Sequence, residues 1–216
     1  MLRKIFVVAL ITMLMAGCGA DKIVGTPDKA VLAYAQISMT GDSPNMQAAG
    51  FTDEDRNAIR KNLSNTFVTS MANITPMSDA AAEEITNIYF DRLKGAMNFK
   101  VTLAKDDSDR PVVEITTTPI DPAESARTVA AQNDELFALI GMVGKLKSEG
   151  ADDAALKAND QVQALAVAAL KNYIDNIKFA PEKTFSVPCA KVTGSDGNVH
   201  WAPADADAFV NFLTGR

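Results

Sequence analysis

Acid–base chemistry in this chain would depend on one histidine and on its carboxylates. His200 is the only histidine among the 216 residues, so a Ser-His-Asp triad or a histidine-based metal site would have a single imidazole to build on. It sits beside Trp201 in a predicted strand, and the nearest serine in sequence, Ser195, falls in the preceding turn. We interpret His200 as a surface or half-buried strand residue, with a catalytic base as the alternative. We expect no catalytic residue.

A run of three aspartates, Asp106, Asp107 and Asp109, carries oxygen ligands that suit a hard cation. The run lacks the glycine and the distant glutamate of an EF-hand loop. It therefore predicts a solvated hairpin turn and no metal site.

Neither the glycines nor the second cysteine predicts a cofactor. Gly141, Gly144 and Gly150 lack the spacing of a phosphate-binding or dinucleotide-binding loop, although the first two would allow close helix packing. Cys189 is interpreted as a small apolar strand residue, with a reactive thiol as the alternative. Five methionines are expected to fill the core, or alternatively to line an adaptable apolar groove: Met39, Met46, Met71, Met77 and Met97.

The N-terminus has the layout of an export signal. Arg3 and Lys4 precede an apolar run from Ile5 to Met15, and Ala16-Gly17 supply the small residues that a signal peptidase needs. The apolar run is too short for a permanent membrane span, which needs ~20 apolar residues.

The stretch Met15-Ala16-Gly17-Cys18 resembles the lipobox of bacterial lipoproteins, with Met15 where that family most often has Leu. The resemblance implies cleavage between Gly17 and Cys18, removal of residues 1–17 and a lipid on the Cys18 sulfur. Two or three acyl chains hold a protein at a membrane for long times, because each buried CH₂ contributes ~0.8 kcal/mol. The alternative is an ordinary signal peptide or an uncleaved anchor, with Cys18 incidental.

This resemblance predicts that the protein is located in the bacterial cell envelope, where it is extracytoplasmic and anchored to a membrane through Cys18. Residues 18–26 are small, polar and glycine-containing, and we expect them to be a lipidated tether. Gly19 stands where Asp would resemble an inner-membrane retention signal, so an outer-membrane location is allowed in bacteria with two membranes.

Charge and length limit the function classes. Removing residues 1–17 takes away Arg3 and Lys4, which changes the formal charge from −6 to −8. A negative chain without a basic stripe argues against nucleic-acid binding. Residues 27–216 are long enough for one domain with a real core and marginal for two, so we expect a single domain.

Capping and breaker signals place the helices that would position any site. We expect three amphipathic helices in the N-terminal part, followed by two long helices and a short last one. Their predicted limits are Thr26 to Gly41, from Thr52 onward, Ser78 to Gly95, Asp121 to Gly150, Asp152 to Lys178, and Ala204 to Leu213.

Two β-hairpins interrupt the helices. Alternating and β-branched residues predict one hairpin between Asn98 and Thr118, and a second from Lys183 to Pro203 around the turn Gly194–Gly197. Hairpins segregated from helices indicate an α+β fold in which helices cover one face of a curved antiparallel sheet of about four strands.

This order of elements, with Trp201 near the end of the last hairpin, resembles the cystatin-like or nuclear-transport-factor-2-like lipoproteins of unknown function. In that family a lipobox precedes a helical N-terminal part, and a final hairpin closes a curved sheet. The resemblance spans most of residues 27–216 and implies a fold, but no catalytic residue.

Three functions remain as hypotheses. The first is a non-catalytic, lipid-anchored module that binds an envelope protein or another partner through an apolar groove with a polar rim. The second is a carrier of a small apolar ligand in a pocket between sheet and helices. The third is a carboxylate-based hydrolase, which needs two converging carboxylates. The candidate pocket of the second is lined by Phe99, Val101, Ile115, Phe185 and Trp201.

We predict that Cys18→Ser releases the protein from membranes or leaves the precursor uncut, because the substitution removes the sulfur that would carry the lipid. Membrane fractionation with intact mass measurement of the product checks this. A Cys18→Ser protein that is still cut and still membrane-bound would contradict the lipoprotein interpretation.

Overall fold

The computed structural model describes residues 23–129 and 133–216; the predicted signal peptide and Cys18 lie outside them. The helices are α1 Pro27–Thr40, α2 Asp53–Met71, α3 Asp79–Lys94, α4 Pro122–Val129, α5 Asp134–Ser148, α6 Asp153–Lys157, α7 Asp160–Asp175 and α8 Ala206–Thr214, with a short 3-10 helix at Gln47–Ala49. The strands are β1 Ile23–Val24, β2 Lys100–Lys105, β3 Val112–Thr117, β4 Ile120–Asp121, β5 Lys178–Phe179, β6 Lys183–Thr193 and β7 Val199–Pro203.

The main sheet is curled and has the strand order β1-β7-β6-β3-β2. Its four long strands form the two predicted hairpins, and β3 and β6 join these hairpins in antiparallel register. The α+β class is therefore confirmed. The short strands β4 and β5 pair separately with each other, where β4 contacts α8 and β5 contacts α4.

The fifth strand of this sheet comes from the segment predicted to be a tether. Ile23 and Val24 pair in parallel with Val199 and His200 of β7, at the edge of the sheet. The described chain is thus fixed to the sheet from Ile23 onward.

Helix α1 lies at the centre of the fold. It contacts α2, α3 and α8 as well as strands β2, β3 and β7. Its buried residues are distributed around the whole helix, so the prediction that α1 is amphipathic is wrong. They are mostly small or aliphatic: Ala30, Val31, Ala33, Ala35, Ile37 and Met39.

Side-chain caps fix where the helices begin. Thr52 and Asp55 form the predicted capping box of α2, and the Ser78 hydroxyl accepts the N–H of Ala81 at the start of α3. Each cap satisfies backbone donors that the first helical turn leaves unpaired.

The prediction of two long helices is wrong. Each predicted helix is interrupted at an asparagine, which forms the N-terminal cap of a new helix. The Asn133 Oδ1 accepts the Leu136 N–H and starts α5, while its Nδ2 donates to the Ala169 carbonyl of α7. Asn159 starts α7 by accepting the N–H of Val162. Asparagine competes with the helical backbone through such bonds, so it favours caps over helix interiors.

In the described residues, no helix combines the length and the apolar character that crossing a membrane requires.

Gly50 and Gly197 both have a left-handed backbone, but only Gly50 is crowded by its neighbours. Comparing alanine substitutions at the two positions therefore distinguishes the cost of backbone strain from the cost of steric crowding. Gly50 has φ +92°, and a Cβ there would lie 2.4 Å from the His200 Cβ. Gly197 has φ +80°, and a Cβ there would have no atom of the described residues within 4 Å. We expect Gly197→Ala to cost about 1–2 kcal/mol for the backbone alone. Gly50→Ala should cost about 1–3 kcal/mol more, because it overpacks the junction of β1 and β7.

Urea unfolding of both variants, with the wild type as reference, measures this difference. Equal losses of stability in Gly50→Ala and Gly197→Ala would contradict the close contact between Gly50 and His200.

Candidate functional site

A cavity of about 170 Å³ lies among the helices, on the side of α1 that faces α2 and α8. We call it the tyrosine cavity. It is lined by Tyr34, Ser38, Met39, Ile59, Asn62, Leu63, Thr66, Phe67, Tyr89, Ile120, Pro122, Tyr173, Ile177, Ala206, Asp207, Val210, Asn211, Thr214 and Arg216.

All three tyrosines of the chain line this cavity. Tyr34 comes from α1, Tyr89 from α3 and Tyr173 from α7, so three separate helices bring them together. None of the three hydroxyls has a hydrogen-bond partner within residues 23–129 and 133–216. Tyrosine suits a boundary of this kind, because its ring is apolar and its hydroxyl can bond to a ligand or to water.

Helix α2 supplies one apolar wall. Ile59, Leu63 and Phe67 are four residues apart, which places them on one side of the helix as the sequence predicts. The Phe67 ring packs edge-on against Tyr89, with ring centroids 5.7 Å apart. This contact joins the α2 wall to the tyrosine of α3.

Burial changes the acidity of two of these tyrosines. Burial, together with the smaller effect of the nearby Asp207 carboxylate, raises the pKa of Tyr34 to about 12. Burial also raises the pKa of Tyr89; there the Arg216 guanidinium acts to lower the pKa and Tyr173 to raise it. Both phenols are therefore neutral donors at physiological pH.

The five residues of the predicted sheet pocket share one face of the sheet. Val101 is paired with Ile115, and Ile115 with Phe185; Trp201 of β7 lies on the same side as Phe185, and Phe99 lies two residues before Val101.

That face is filled where Phe185 lies. The Phe185 ring stacks on Phe212 and Phe209 of α8, with centroid separations of 4.7 and 6.4 Å. None of the five predicted residues lines the tyrosine cavity. The cavity lies among the helices instead of between sheet and helices.

His200 is buried, with 3% of its surface exposed, so the prediction of a surface or half-buried residue is wrong. Its ring packs 4.7 Å from Phe51, and its Nδ1 has no hydrogen-bond partner in the described part of the chain. Burial lowers the pKa of His200, against the opposing effect of Asp55 and Asp196. His200 is therefore a neutral packing residue at pH 7.

Ser195 and Asp55 do not form a charge relay with this histidine. The Ser195 hydroxyl lies 3.0 Å from the Thr52 hydroxyl, which donates to Asp55 at 2.7 Å. Asp55 also accepts the Thr52 backbone N–H as part of the α2 capping box. These groups hold the turn before β7 against the start of α2.

The aspartate run forms the turn of the first hairpin, as predicted. Asp107 accepts the backbone N–H groups of Asp109 and Arg110 and pairs with Lys105 at 2.9 Å. These bonds hold the pKa of Asp107 well below its usual range. Asp109 pairs with Lys191 at 2.9 Å. In the described residues no group of three or more His, Cys, Asp or Glu is arranged to hold a metal ion.

The structure also decides between the alternatives for the remaining residues. Cys189 is a buried strand residue, and burial raises the pKa of its thiol to about 11, which keeps it protonated. Gly141 and Gly144 have no atom of the described residues within 4 Å of an added Cβ, so no described element packs closely against them. Four of the five singled-out methionines are buried in the core without lining the cavity: Met46, Met71, Met77 and Met97. Met39 is buried and also reaches the cavity.

Comparison with known protein families and with curated proteins finds no match. Among solved structures, the chain is similar to the crystal structure of YcdA, a lipoprotein candidate from Bacillus subtilis subsp. subtilis str. 168. The TM-score is 0.57 with 16% sequence identity, and the likeness covers 87% of this chain and 55% of that one. At this identity the match shows a shared fold, and the chain spans little more than half of the YcdA structure.

The raised pKa of Tyr34 makes a testable contribution to stability. A phenol with a folded-state pKa of about 12 stabilises the fold fully below the ordinary value of 10.0, and this contribution is lost as the pH rises toward 12. We expect the unfolding free energy to fall over this interval in the wild type and to fall less in Tyr34→Phe.

Urea unfolding at pH 9 to 12 and tyrosinate absorbance at 295 nm measure the two quantities. The difference between the wild-type and Tyr34→Phe titration curves at 295 nm gives the titration of Tyr34 alone. If this difference has its midpoint near pH 10, the burial of Tyr34 is contradicted.

Proposed function

We propose that the chain is a lipid-anchored, extracytoplasmic binding module that holds a compact apolar ligand in the tyrosine cavity and performs no catalysis. The observation that carries the proposal is the cavity itself, with an apolar wall on α2 and three phenol hydroxyls that have no hydrogen-bond partner among the described residues. Apolar walls with a few convergent polar groups are typical of ligand sites.

The volume limits the ligand. A cavity of about 170 Å³ is close to the ~150 Å³ engineered cavity that binds benzene. It is smaller than the ~300–1,000 Å³ of sites for drug-sized molecules. The expected ligand is thus ring-sized, or is the ring-sized part of a larger molecule.

A second candidate is that the occupant is one apolar side chain of an envelope protein. The polar lining residues Ser38, Asn62 and Thr66 support this, because apolar sites bordered by polar residues are common at protein interfaces. In both cases the role is binding.

The absence of catalysis is part of the proposal. A carboxylate hydrolase needs two converging carboxylates, and among the described residues Asp207 is the one carboxylate side chain that lines the cavity. His200 lies elsewhere, packed on Phe51.

The lipid anchor rests on the lipobox at Met15–Cys18. The fold likeness to YcdA, itself described as a lipoprotein candidate, agrees with this. The helix across a curled sheet supports the cystatin-like relationship as part of the same proposal. A location in the bacterial cell envelope follows from the anchor, and Gly19 is compatible with an outer membrane.

We predict that Leu63→Phe reduces binding of a neutral ring-sized probe, benzamide, because the larger side chain fills the tyrosine cavity. Equilibrium dialysis of the mature protein in detergent measures the binding. Leu103→Phe is the matched control, since Leu103 is exposed on β2 and does not line the cavity.

The control variant carries the same Leu→Phe change and is measured in the same detergent. It therefore also corrects for benzamide that partitions into the micelles. Equal benzamide binding by both variants and the wild type would contradict the proposed site.

A further inference from the structure

Among the residues that the structure describes, two charged side chains line the tyrosine cavity, one near each end of α8. Asp207 lies in the first turn of the helix, and Arg216 follows its C-terminal cap. Neither side chain forms an ion pair with another side chain in the described part of the chain. The cavity therefore has an acidic end and a basic end.

The backbone fixes the position of Arg216. Gly215 has φ +69°, a left-handed conformation that ends α8, and the Arg216 N–H donates to the Asn211 carbonyl at 2.8 Å. The guanidinium is thus carried by an ordered backbone at the edge of the cavity.

The basic end combines three donor groups. Tyr89, Tyr173 and Arg216 line the same cavity, and Arg216 and Tyr173 are both within electrostatic range of the Tyr89 hydroxyl. Neither phenol hydroxyl has a hydrogen-bond partner within the described ranges. A guanidinium with two phenol O–H groups is a donor set that matches a carboxylate, which accepts several hydrogen bonds.

The acidic end of the cavity offers fewer groups to a charged ligand than the basic end does. Asp207 is in the first helical turn, where the positive end of the helix dipole already stabilises a carboxylate. The phenol beside it, Tyr34, is neutral and offers a single hydroxyl. A cationic ligand would gain one carboxylate there, whereas an anion gains three donors at the other end.

We propose that the tyrosine cavity binds a compact aromatic monocarboxylate, with its ring against the α2 wall and its carboxylate on Arg216, Tyr89 and Tyr173. This inference rests on the proposed function and adds the charge and the orientation of the ligand. It predicts selectivity for an anion in a chain whose net charge is negative.

Three probes of nearly equal shape test it: benzoate, benzamide and benzamidine are the anionic, neutral and cationic members of one series. Equilibrium dialysis of the mature protein at pH 7 should show benzoate bound about tenfold more tightly than benzamide, as expected for hydrogen bonds to a charged group. Benzamidine should bind more weakly than benzamide.

Two charge-removing variants locate the effect. Arg216→Gln should abolish the preference for benzoate over benzamide, because it removes the positive charge while the backbone bond from residue 216 to Asn211 is kept. Asp207→Asn is the matched control at the acidic end, and it should retain the preference for benzoate.

The outcomes separate this inference from the proposed function. If benzamide binds and is blocked by Leu63→Phe, but benzoate has no advantage or benzamidine binds best, the proposed function stands and the carboxylate inference is overturned. A benzoate preference that persists in Arg216→Gln overturns the assigned orientation. If no probe binds, the proposed function itself fails.

Discussion

The burial of α1 is the constraint on which the rest of the structure depends. Ala30, Ala33 and Ala35 present almost no side chain, so the sheet and the other helices can approach the α1 backbone from several directions. Interiors are close-packed, and a larger residue at such a position would displace its neighbours. Since α1 is enclosed by other elements, the space that remains for a cavity lies at its margin, where Tyr34 meets α2 and α8.

Local chemistry explains why much of the fold could be predicted. Thr52 with Asp55, Ser78, and the alternation within both hairpins are short-range signals, and they act over a few residues in the folded chain as well. The same reasoning fails at Asn133 and Asn159, where a polar residue within an apolar period starts a new helix. Asn133 also bonds to Ala169 of another helix, a contact that a local pattern does not contain. The full burial of α1 is likewise set by its neighbours.

The candidate site could not be predicted, because it is made only by tertiary packing. Tyr34, Tyr89 and Tyr173 are far apart in sequence, and the sequence pattern alone assigns each of them to the apolar face of its own helix. Their shared signal is weak: each adds a hydroxyl to a face that is otherwise apolar. The sheet residues Ile115 and Phe185 were reasonable candidates because the registers do bring them together. The alternation of residues in the strands does not predict that α8 packs on this face, where Phe209 and Phe212 stack on Phe185.

The edge strand β1 connects this architecture to the proposed anchor. Cys18 and Ile23 are five residues apart, and an extended chain of that length spans at most about 18 Å. Ile23 is already paired with Val199, so a lipid on Cys18 would hold the edge of the sheet close to the bilayer surface. The β1–β7 junction would then carry the connection between membrane and domain. Its packing is correspondingly tight, because Gly50 lies against His200 and leaves no room for a side chain.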